Sequence, residues 1–580
     1  MKIWIAQINT RVWNLDYNKK KIIQSINELK NADIIVFPES TIWGYPMNDL
    51  LEFNDFVIQQ KEIVKEIQSK ITNDLKVVLG FVDYDKNSNH PNWHFTRYNA
   101  SAVIAKNGMQ IYHKHLLPNY DVFHEKRWFS PGGYQDDSMI SKWYSEDFKT
   151  ISQDDTFIKT DVLVDKIWKE RFGITICEDI WDEFYFEVRR DLRGQKRKNF
   201  IHNIENLNLV PLQKYLPYSL DFMINLSSSP FEIGKIQKRY RLIKKHIQQQ
   251  KSNFVYVNQV WAQDEIIFDG WSMIFNKNGD LIYFSKFFEE DLQVIDTEKL
   301  KKDKSKQLFE TIQDKYSQIE KALVLWLKDY FDKNGLKKAV IWISGGIDSA
   351  VSLYLLSKFL KPENIKAVYL PSKFSSELSL KLAKQLCKNL NIPLEIKNIQ
   401  KIVDTMSEWE NVEWITYENL QARVRWNILM MKANQIWWIV INNTNETELI
   451  LWYGTAYGDL IWAISPLGNL NKKEIYEFAK WINKIYNNII PNEIITRPAS
   501  AELSENQTDP FDYEKISDLV YDYFFWKISF ENLKKIVWTP EAEKITKLIK
   551  ISEWKRKQAP LVLKLKERSI GNGRIMPITR

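Results

Sequence analysis

Residues 339–360 read AVIWISGGIDSAVSLYLLSKFL. The first five are apolar and β-branched enough for a buried strand, and the last eleven have the near-unbroken apolar character of a packed helix. Between them stands Ser344-Gly345-Gly346-Ile347-Asp348-Ser349. Two glycines let backbone N–H groups approach an anion closely, and the N-terminus of the following helix adds positive potential. Ser344 and Ser349 can donate hydroxyl hydrogen bonds, and Asp348 can hold Mg²⁺. Strand, anion-binding turn and helix in this order predict an α/β domain with a phosphate loop. A Walker-type loop is excluded. It ends in Gly-Lys-Ser or Gly-Lys-Thr, and the only Gly-Lys pair, Gly234-Lys235, is followed by Ile236.

Working outward, KAVYL (366–370) and IPLEIKNI (392–399) continue the α/β pattern, and a helix is expected from Ile319 to about Asp332. Upstream, residues from about Asp296 to Ser317 are polar and charge-dense and read as a linker or a solvated helix, and 291–317 is expected to join domains 1–290 and 318–580. The first half is also α/β. KIWIAQI, ADIIVF, VVLGFV, ASAVIA, FGITIC, FMINLS and NFVYVNQV read as buried strands, with helices over Tyr17–Leu29 and Asp49–Lys70.

Three chemically able residues follow strands in that half: Glu39 after DIIVFP, Lys114 in YHKHLLPNY, and Cys177 in FGITICEDIW. A rigid sheet is a good support for catalytic groups at strand ends. A Cys thiolate can attack a carboxamide and a Glu can shuttle protons. A Lys ammonium can stabilise the tetrahedral oxyanion and lower the thiol pKa. On the residues alone, Cys177 also fits a small core residue, with Glu39 and Lys114 as surface charges.

The flanking sequence resembles two families. SGGIDS is similar to the pyrophosphate loop of ATP pyrophosphatases. Glu39, Lys114 and Cys177 resemble the Glu-Lys-Cys triad of the nitrilase family, within FPES…GYPMNDLL, HKHLLPNYDVFHEKRWF, ICEDIW, NLSSSPF and DEIIFDGWS. Glu125 matches a second glutamate of many nitrilases, and Tyr120 the Tyr of LPNY; both are implied to bind glutamine. The two halves joined resemble the glutamine-dependent NAD synthetase family through LPSKFSSELS, ENLQARVRWNILMMKAN, NTNETELILWYGTAYGDL, PLGNLNKKEIYEFAKWIN and RPASAELSENQTD.

The resemblance implies a nitrilase-like α-β-β-α sandwich followed by a doubly wound parallel-sheet domain. It implies ATP and Mg²⁺ as cofactors, and glutamine and nicotinic acid adenine dinucleotide as substrates. ATP would be held by Ser344, Gly345, Gly346, Ile347, Asp348, Ser349, Arg423, Lys472 and Ser500. The dinucleotide would be held by Arg425, Asn445 and Glu448, and the metal by Asp348 and Glu448. A homo-oligomer, at least a dimer through the second domain, is implied as well. The alternatives are a nitrilase-type amidase feeding another ATP-activated acceptor, or a catalytically impaired homologue.

Composition sets outer bounds. The 580 residues are too many for one core, and 44% apolar with 27% charged residues is a globular balance. Two cysteines exclude a disulfide framework. No apolar run reaches ~18 residues, and MKIWIAQINTRV lacks a signal-peptide core, so a cytoplasmic protein without membrane partners is expected. A net charge of +7 suits small anions, and no nucleic-acid partner is expected. Gly is scarce at 18 residues, about 3% against an ordinary ~7%, while Trp reaches 23. Trp13, Trp261, Trp271, Trp342, Trp426, Trp452 and Trp462 stand where the resembling family carries a small residue, usually Gly. Reading the codon UGA as Trp in place of Gly would produce this pattern.

Overall fold

The fold was described from a computed structural model. It describes residues 1–28, 32–71, 74–85, 96–132, 157–159, 162–167, 169–181, 211–299, 302–410, 412, 414–460, 464–505 and 507–571. The chain forms two compact units, Met1–Gln263 with Ile267–Asp314, and Asp264–Ile266 with Lys315–Arg580.

In the first unit one sheet contains β1 (Lys2–Gln7), β2 (Ile34–Val36), β3 (Lys76–Asp85), β4 (Thr96–Ala105) and β5 (Gly108–His113). The other contains β6 (Phe157–Lys159), β7 (Val162–Ile167), β8 (Glu170–Ile176), β9 (Phe222–Ser227) and β10 (Asn253–Asn258), with β13 (Met273–Phe275) and β14 (Leu281–Phe284). Between β10 and β13, β11 (Val260–Gln263) and β12 (Ile266–Asp269) form a separate ribbon. β1, β2 and β3 run parallel, as do β8, β9 and β10. Parallel strands buried on both faces read as unbroken apolar runs, and β9 (FMINLS) is buried at all six positions.

The two sheets face each other. Ile3, Ile5, Val36 and Val78 of the first share one core with Ile174, Ile176, Ile224 and Val255 of the second. Helices α1 (Leu15–Glu28) and α2 (Asn54–Ser69) precede β2 and β3, and α3 (Lys235–Gln250) precedes β10. Each is amphipathic. In α3 the buried residues Ile236, Arg239, Tyr240, Ile243 and Ile247 recur at three- and four-residue steps along one face. α2 lies against β3 and α3 against β10, giving the α-β-β-α sandwich.

Much of the stretch expected to join the domains is structured. Asp291–Asp296 is β15, which pairs antiparallel with β1 at the edge of the first sheet, and Ser305–Ile312 is a helix, α4. An edge strand buries only part of itself, so its sequence stays polar enough to look like a linker.

The second unit holds one six-stranded sheet of β16 (Ala339–Trp342), β17 (Ile365–Tyr369), β18 (Leu394–Ile396), β19 (Ile439–Ile441), β20 (Ile464–Ser465) and β21 (Leu561–Val562). All neighbours run parallel, in the order β18-β17-β16-β19-β20-β21. The chain leaves β16 toward β17 on one side and later returns to β19 on the other. This is the doubly wound order, and its switch point lies between β16 and β19. Helices α5 (Lys315–Lys333), α6 (Ile347–Ser357), α7 (Glu377–Asn389), α8 (Gln400–Glu410), α9 (Trp414–Ile436), α10 (Glu446–Leu451) and α11 (Lys472–Ile485) connect or cover the strands. α6 buries every residue from Ser349 to Leu356, which accounts for its lack of a polar stripe. Among the described residues no helix is long and apolar enough to cross a membrane.

Gly80 in β3 is fixed by close approach. A Cβ there would sit 2.2 Å from the Ser40 backbone nitrogen and 2.8 Å from the Glu39 carbonyl carbon. Gly234 has φ +86° and open space around it. Gly234→Ala is therefore expected to cost about 1–2 kcal/mol, the left-handed penalty alone. Gly80→Ala, which must move backbone, is expected to cost more than about 3 kcal/mol. Denaturant unfolding of the two variants against the parent checks the order.

Candidate functional site

The first site gathers at strand ends of the sandwich. Glu39 follows β2 by three residues, Lys114 directly follows β5, and Cys177 directly follows β8. Glu39, Lys114 and Cys177 are all buried. The Lys114 ammonium donates to Glu39 Oε1 and to Glu125 Oε1, each at 2.8 Å. Asn99 also donates to Glu39 Oε1, at 2.8 Å, and the Ser228 backbone N–H donates to Oε2 at 2.7 Å. The Glu39 carboxylate is thus held from three sides.

Burial drives the electrostatics of this site. Burial, with the charge of Glu39, pushes the Cys177 thiol well above its ordinary value, against the opposing pull of Lys114. Lys114 does lower the thiol pKa, as expected, but burial and the Glu39 charge outweigh it, so the net value is raised and the sulfur is a thiol at rest. A base must take its proton, and Glu39 acts on it electrostatically. Burial also raises Glu125 to about 7, with the nearby Glu39 charge adding to the rise and Lys114 opposing it. Glu125 Oε1 receives the Tyr45 hydroxyl at 3.0 Å as well as Lys114, while its buried Oε2 has no hydrogen-bond partner and can accept from a substrate amide.

Cys177 has φ +41°, a left-handed conformation that is costly for a non-glycine residue, and it opens the short 3₁₀ turn Cys177–Ile180. Asp179, which sequence reasoning missed, anchors this turn. Its buried carboxylate accepts from the Ile176 N–H (3.0 Å), the His115 N–H (3.1 Å), the Leu116 N–H (2.9 Å) and the Tyr112 hydroxyl (2.9 Å). One side chain so ties the Cys177 turn to the segment carrying Lys114. Half-buried Tyr120 donates to both oxygens of Glu178, the residue after Cys177, at 2.9 and 3.0 Å.

The second site lies at the switch point of the parallel sheet. Gly345 has φ +81°, and a Cβ there would fall 2.5 Å from the Ser379 carbonyl oxygen. Ser344 Oγ accepts from the Gly346 N–H at 3.2 Å and lies 3.2 Å from Ser349 Oγ, which donates to the Gly346 carbonyl at 2.9 Å. The serines therefore shape the loop. A pocket is lined by Ser344, Gly346, Asp348, Glu448, Lys472 and Ser500. Within it the Lys472 ammonium sits 2.5 Å from Asp348 Oδ2 and 3.3 Å from Glu448 Oε1. Burial would lower the Lys472 pKa, but Asp348 and Glu448 outweigh it and raise the net value. Burial raises Glu448 to about 7, against the attraction of Lys472.

Of the second-site residues, Arg423 and Asn445 depart from expectation, and two others add to it. Arg425 lines the pocket and is buried, donating to the Leu370 carbonyl at 3.0 Å, and burial lowers it to about 10. Arg423, two residues earlier on α9, is exposed and points its Nε at the Ala456 carbonyl (3.4 Å), outside the pocket. Asn445 is also not presented to the pocket: its amide oxygen accepts from the Glu448 N–H at 3.0 Å, and its NH₂ donates to Asp348 Oδ1 at 3.1 Å. Arg497 and Asp509 line the pocket and were not singled out from sequence.

The carbon-nitrogen hydrolase model matches residues 2–299, and the NAD synthase model matches residues 319–559. The chain is 30% identical to the glutamine-dependent NAD(+) synthetase of Acinetobacter baylyi over 100% of its own length and 98% of that protein. It is 29% identical to the enzyme of that name from Thermotoga maritima, covering 100% and 98%. Among solved structures it is similar to the glutamine-dependent NAD+ synthetase of Acinetobacter baumannii in complex with ADP. That match has a TM-score of 0.71 and 27% identity, and covers 100% of this chain and 98% of the other. The chain belongs to the glutamine-dependent NAD(+) synthetase family. The family is formed by joining the two halves, and each half here has its own site.

The raised Glu125 gives this family member a pH signature. Its folded-state value, about 7, lies above the ordinary 4.5. Its contribution to stability is therefore fully present below about pH 4.5 and is lost as pH rises through about 7. Glu125→Gln removes that loss. Relative to the variant, the parent is expected to fall in Tm between pH 4.5 and 7.5, measured by calorimetry in steps of half a pH unit. A constant Tm difference across that range would contradict the assignment.

Proposed function

We propose that the protein amidates nicotinic acid adenine dinucleotide to NAD, taking ammonia from glutamine and cleaving ATP to AMP and pyrophosphate. The observation that carries this reading is the presence in one chain of two buried lysine–carboxylate sites. Lys114 holds Glu39 and Glu125 beside a thiol, and Lys472 holds Asp348 and Glu448 beside a glycine phosphate loop.

In the first site the Cys177 sulfur attacks the side-chain carbonyl carbon of glutamine as its proton passes to Glu39. The Lys114 ammonium faces the oxygen that becomes negative. Glu125 Oε2, lacking a partner, accepts an N–H of the same amide. Glu39 returns the proton to the amide nitrogen, the C–N bond breaks and ammonia leaves. Water, giving a proton to Glu39, then hydrolyses the glutamyl thioester and restores the thiol. Tyr120 lies at the same site, hydrogen-bonded to Glu178.

In the second site the carboxylate oxygen of the dinucleotide attacks the α-phosphorus of ATP, and pyrophosphate leaves. The loop residues Ser344–Ser349, Arg425, Arg497 and Lys472 supply donors and positive charge around the phosphates. Asp348 and Glu448 would hold Mg²⁺. Their oxygen chemistry fits an ion that binds one or two carboxylates together with substrate phosphates. Among the described residues no cluster of three or more His, Cys, Asp or Glu could hold a metal without such help. When bound, Mg²⁺ neutralises charge on the departing pyrophosphate. Ammonia then attacks the acyl carbon, loses a proton and displaces AMP.

Cys177→Ala is expected to lower glutamine-driven NAD synthesis on the order of 10⁴-fold or more while sparing synthesis from ammonium chloride, because only the first site needs the sulfur. Loss of both in a folded protein would refute the division of labour. Asp348→Asn is expected to lower ATP-dependent synthesis with either nitrogen source by at least ~100-fold, equivalent to ~3 kcal/mol, and to leave glutamine hydrolysis measurable. Normal AMP release by that variant would remove Asp348 from the ATP site.

A further inference from the structure

Three helices of the second unit end in the same way. Past the last turn of α9, the Trp438 N–H reaches back five residues to the Ala433 carbonyl (3.0 Å). The Tyr453 N–H does so to Glu448 after α10 (3.0 Å), and the Lys527 N–H to Asp522 after the helix Tyr513–Phe524 (2.7 Å). Such a closure requires the preceding residue to be left-handed, and that residue is usually Gly and sometimes Asn. Here it is Trp437 (φ +53°), Trp452 (φ +52°) and Trp526 (φ +60°).

The same closure elsewhere in the unit follows the usual rule. The Leu336 N–H returns to Phe331, the Ile392 N–H to Cys387 and the Asn488 N–H to Asn483, at 2.8, 2.9 and 3.0 Å. The left-handed residues there are Gly335 (φ +68°), Asn391 (φ +56°) and Asn487 (φ +52°).

Trp13 (φ +70°), Trp271 (φ +54°) and Trp414 (φ +50°) are left-handed too. Among the described residues 19 non-glycine residues have positive φ, and six of them are Trp, a residue that makes up only 23 of 580. A bulky aromatic residue is a true outlier in this region. Packing does not account for the choice. Trp437 is 92% and Trp414 86% exposed, whereas Trp271 is 1% exposed with its indole N–H unpartnered.

Two of the other Trp residues expected to replace Gly, Trp342 and Trp426, line the pocket at the switch point. Both indole N–H groups are buried without a hydrogen-bond partner, and the Arg425 guanidinium lies 5.2 Å above the Trp342 ring. Trp261 is fully buried against Phe268 without a left-handed backbone, and Trp462 lies outside the described residues.

We propose that Trp13, Trp271, Trp342, Trp414, Trp426, Trp437, Trp452 and Trp526 are encoded by UGA, and that the cell making this protein reads UGA as Gly. The native chain then has glycine at each of the six left-handed positions, and its nucleotide pocket is wider by two indole rings. Trp181, with φ −87° at the end of the turn that Cys177 opens, keeps the ordinary codon UGG.

The test is the coding DNA together with peptide masses from the protein purified out of its source cells. UGA at the eight positions, UGG at 181, and Gly in the eight peptides are expected. UGG at the eight positions, or UGA with Trp in the peptides, overturns the proposal. As a second measurement, a recombinant chain with Gly at the six left-handed positions should melt above the chain as written, and an equal or lower Tm counts against the proposal. Replacing Trp342 and Trp426 by Gly as well should strengthen ATP binding by calorimetry. That last arm alone also rests on the proposed function, so Gly in the peptides with no ATP binding would overturn the function and leave the recoding standing.

Discussion

The buried Lys114 ammonium is the constraint around which the sandwich site is built. Withdrawing an ammonium from water costs several kcal/mol, and the cost is met only by well-placed opposite charge. Glu39 and Glu125 supply it, each at 2.8 Å. Two carboxylates facing one cation leave an excess negative charge in a dry site, and burial resolves it by raising Glu125 toward neutrality. Removing the lysine would strand the buried carboxylates, at about 3–5 kcal/mol. The same device recurs at Lys472, between Asp348 and Glu448, again with one carboxylate raised to about 7. In each site the lysine fixes the carboxylates before a substrate arrives.

Holding those charges still needs a rigid frame, and the frame also maintains Cys177 in a strained backbone conformation. Left-handed residues such as Cys177 cost of order 1–3 kcal/mol and persist only where their surroundings over-determine them. Here β8 feeds the turn from a buried parallel strand, and Asp179 receives four hydrogen bonds from both sides of the site. Asp179 is itself buried, and desolvation raises it against those hydrogen bonds. Its worth is geometric: it makes the positions of Cys177 and Lys114 depend on each other.

How much of this could be read from the residues follows from the range of each interaction. Parallel strands buried on both faces announce themselves as apolar runs, so β3, β9 and β16 were legible. The tight turn Ser344–Ser349 was legible because its glycines and hydroxyls are contiguous. Arg423 and Arg425 show where reading stops. Two residues apart on a helix they point about 200° from each other, so only one can face the pocket, and the helix phase that decides is set by packing. Asp179 lies within ICEDIW, but its role is not legible there, because its partners at 112, 115 and 116 meet it only when the two sheets pack face to face. Edge strand β15 reads as linker because DLQVID alternates too weakly to announce a sheet.

The doubly wound order explains why the second site collects charged groups from distant segments. Parallel strands with helices between them bring helix N-termini to one edge of the sheet, and the switch point between β16 and β19 opens a crevice there. The first turns of α6, α10 and α11 meet at that crevice, carrying Asp348, Glu448 and Lys472. Helix N-termini favour negative charge, so they steady Asp348 and Glu448 and would equally favour a phosphate there. Asn445 links two of these turns. Its oxygen caps α10 while its nitrogen binds Asp348 at the start of α6, which fixes the orientation of the amide. An acid in place of Asn445 could cap α10 equally well but would repel Asp348. The asparagine therefore owes its place to the neighbouring carboxylate rather than to the helix it caps.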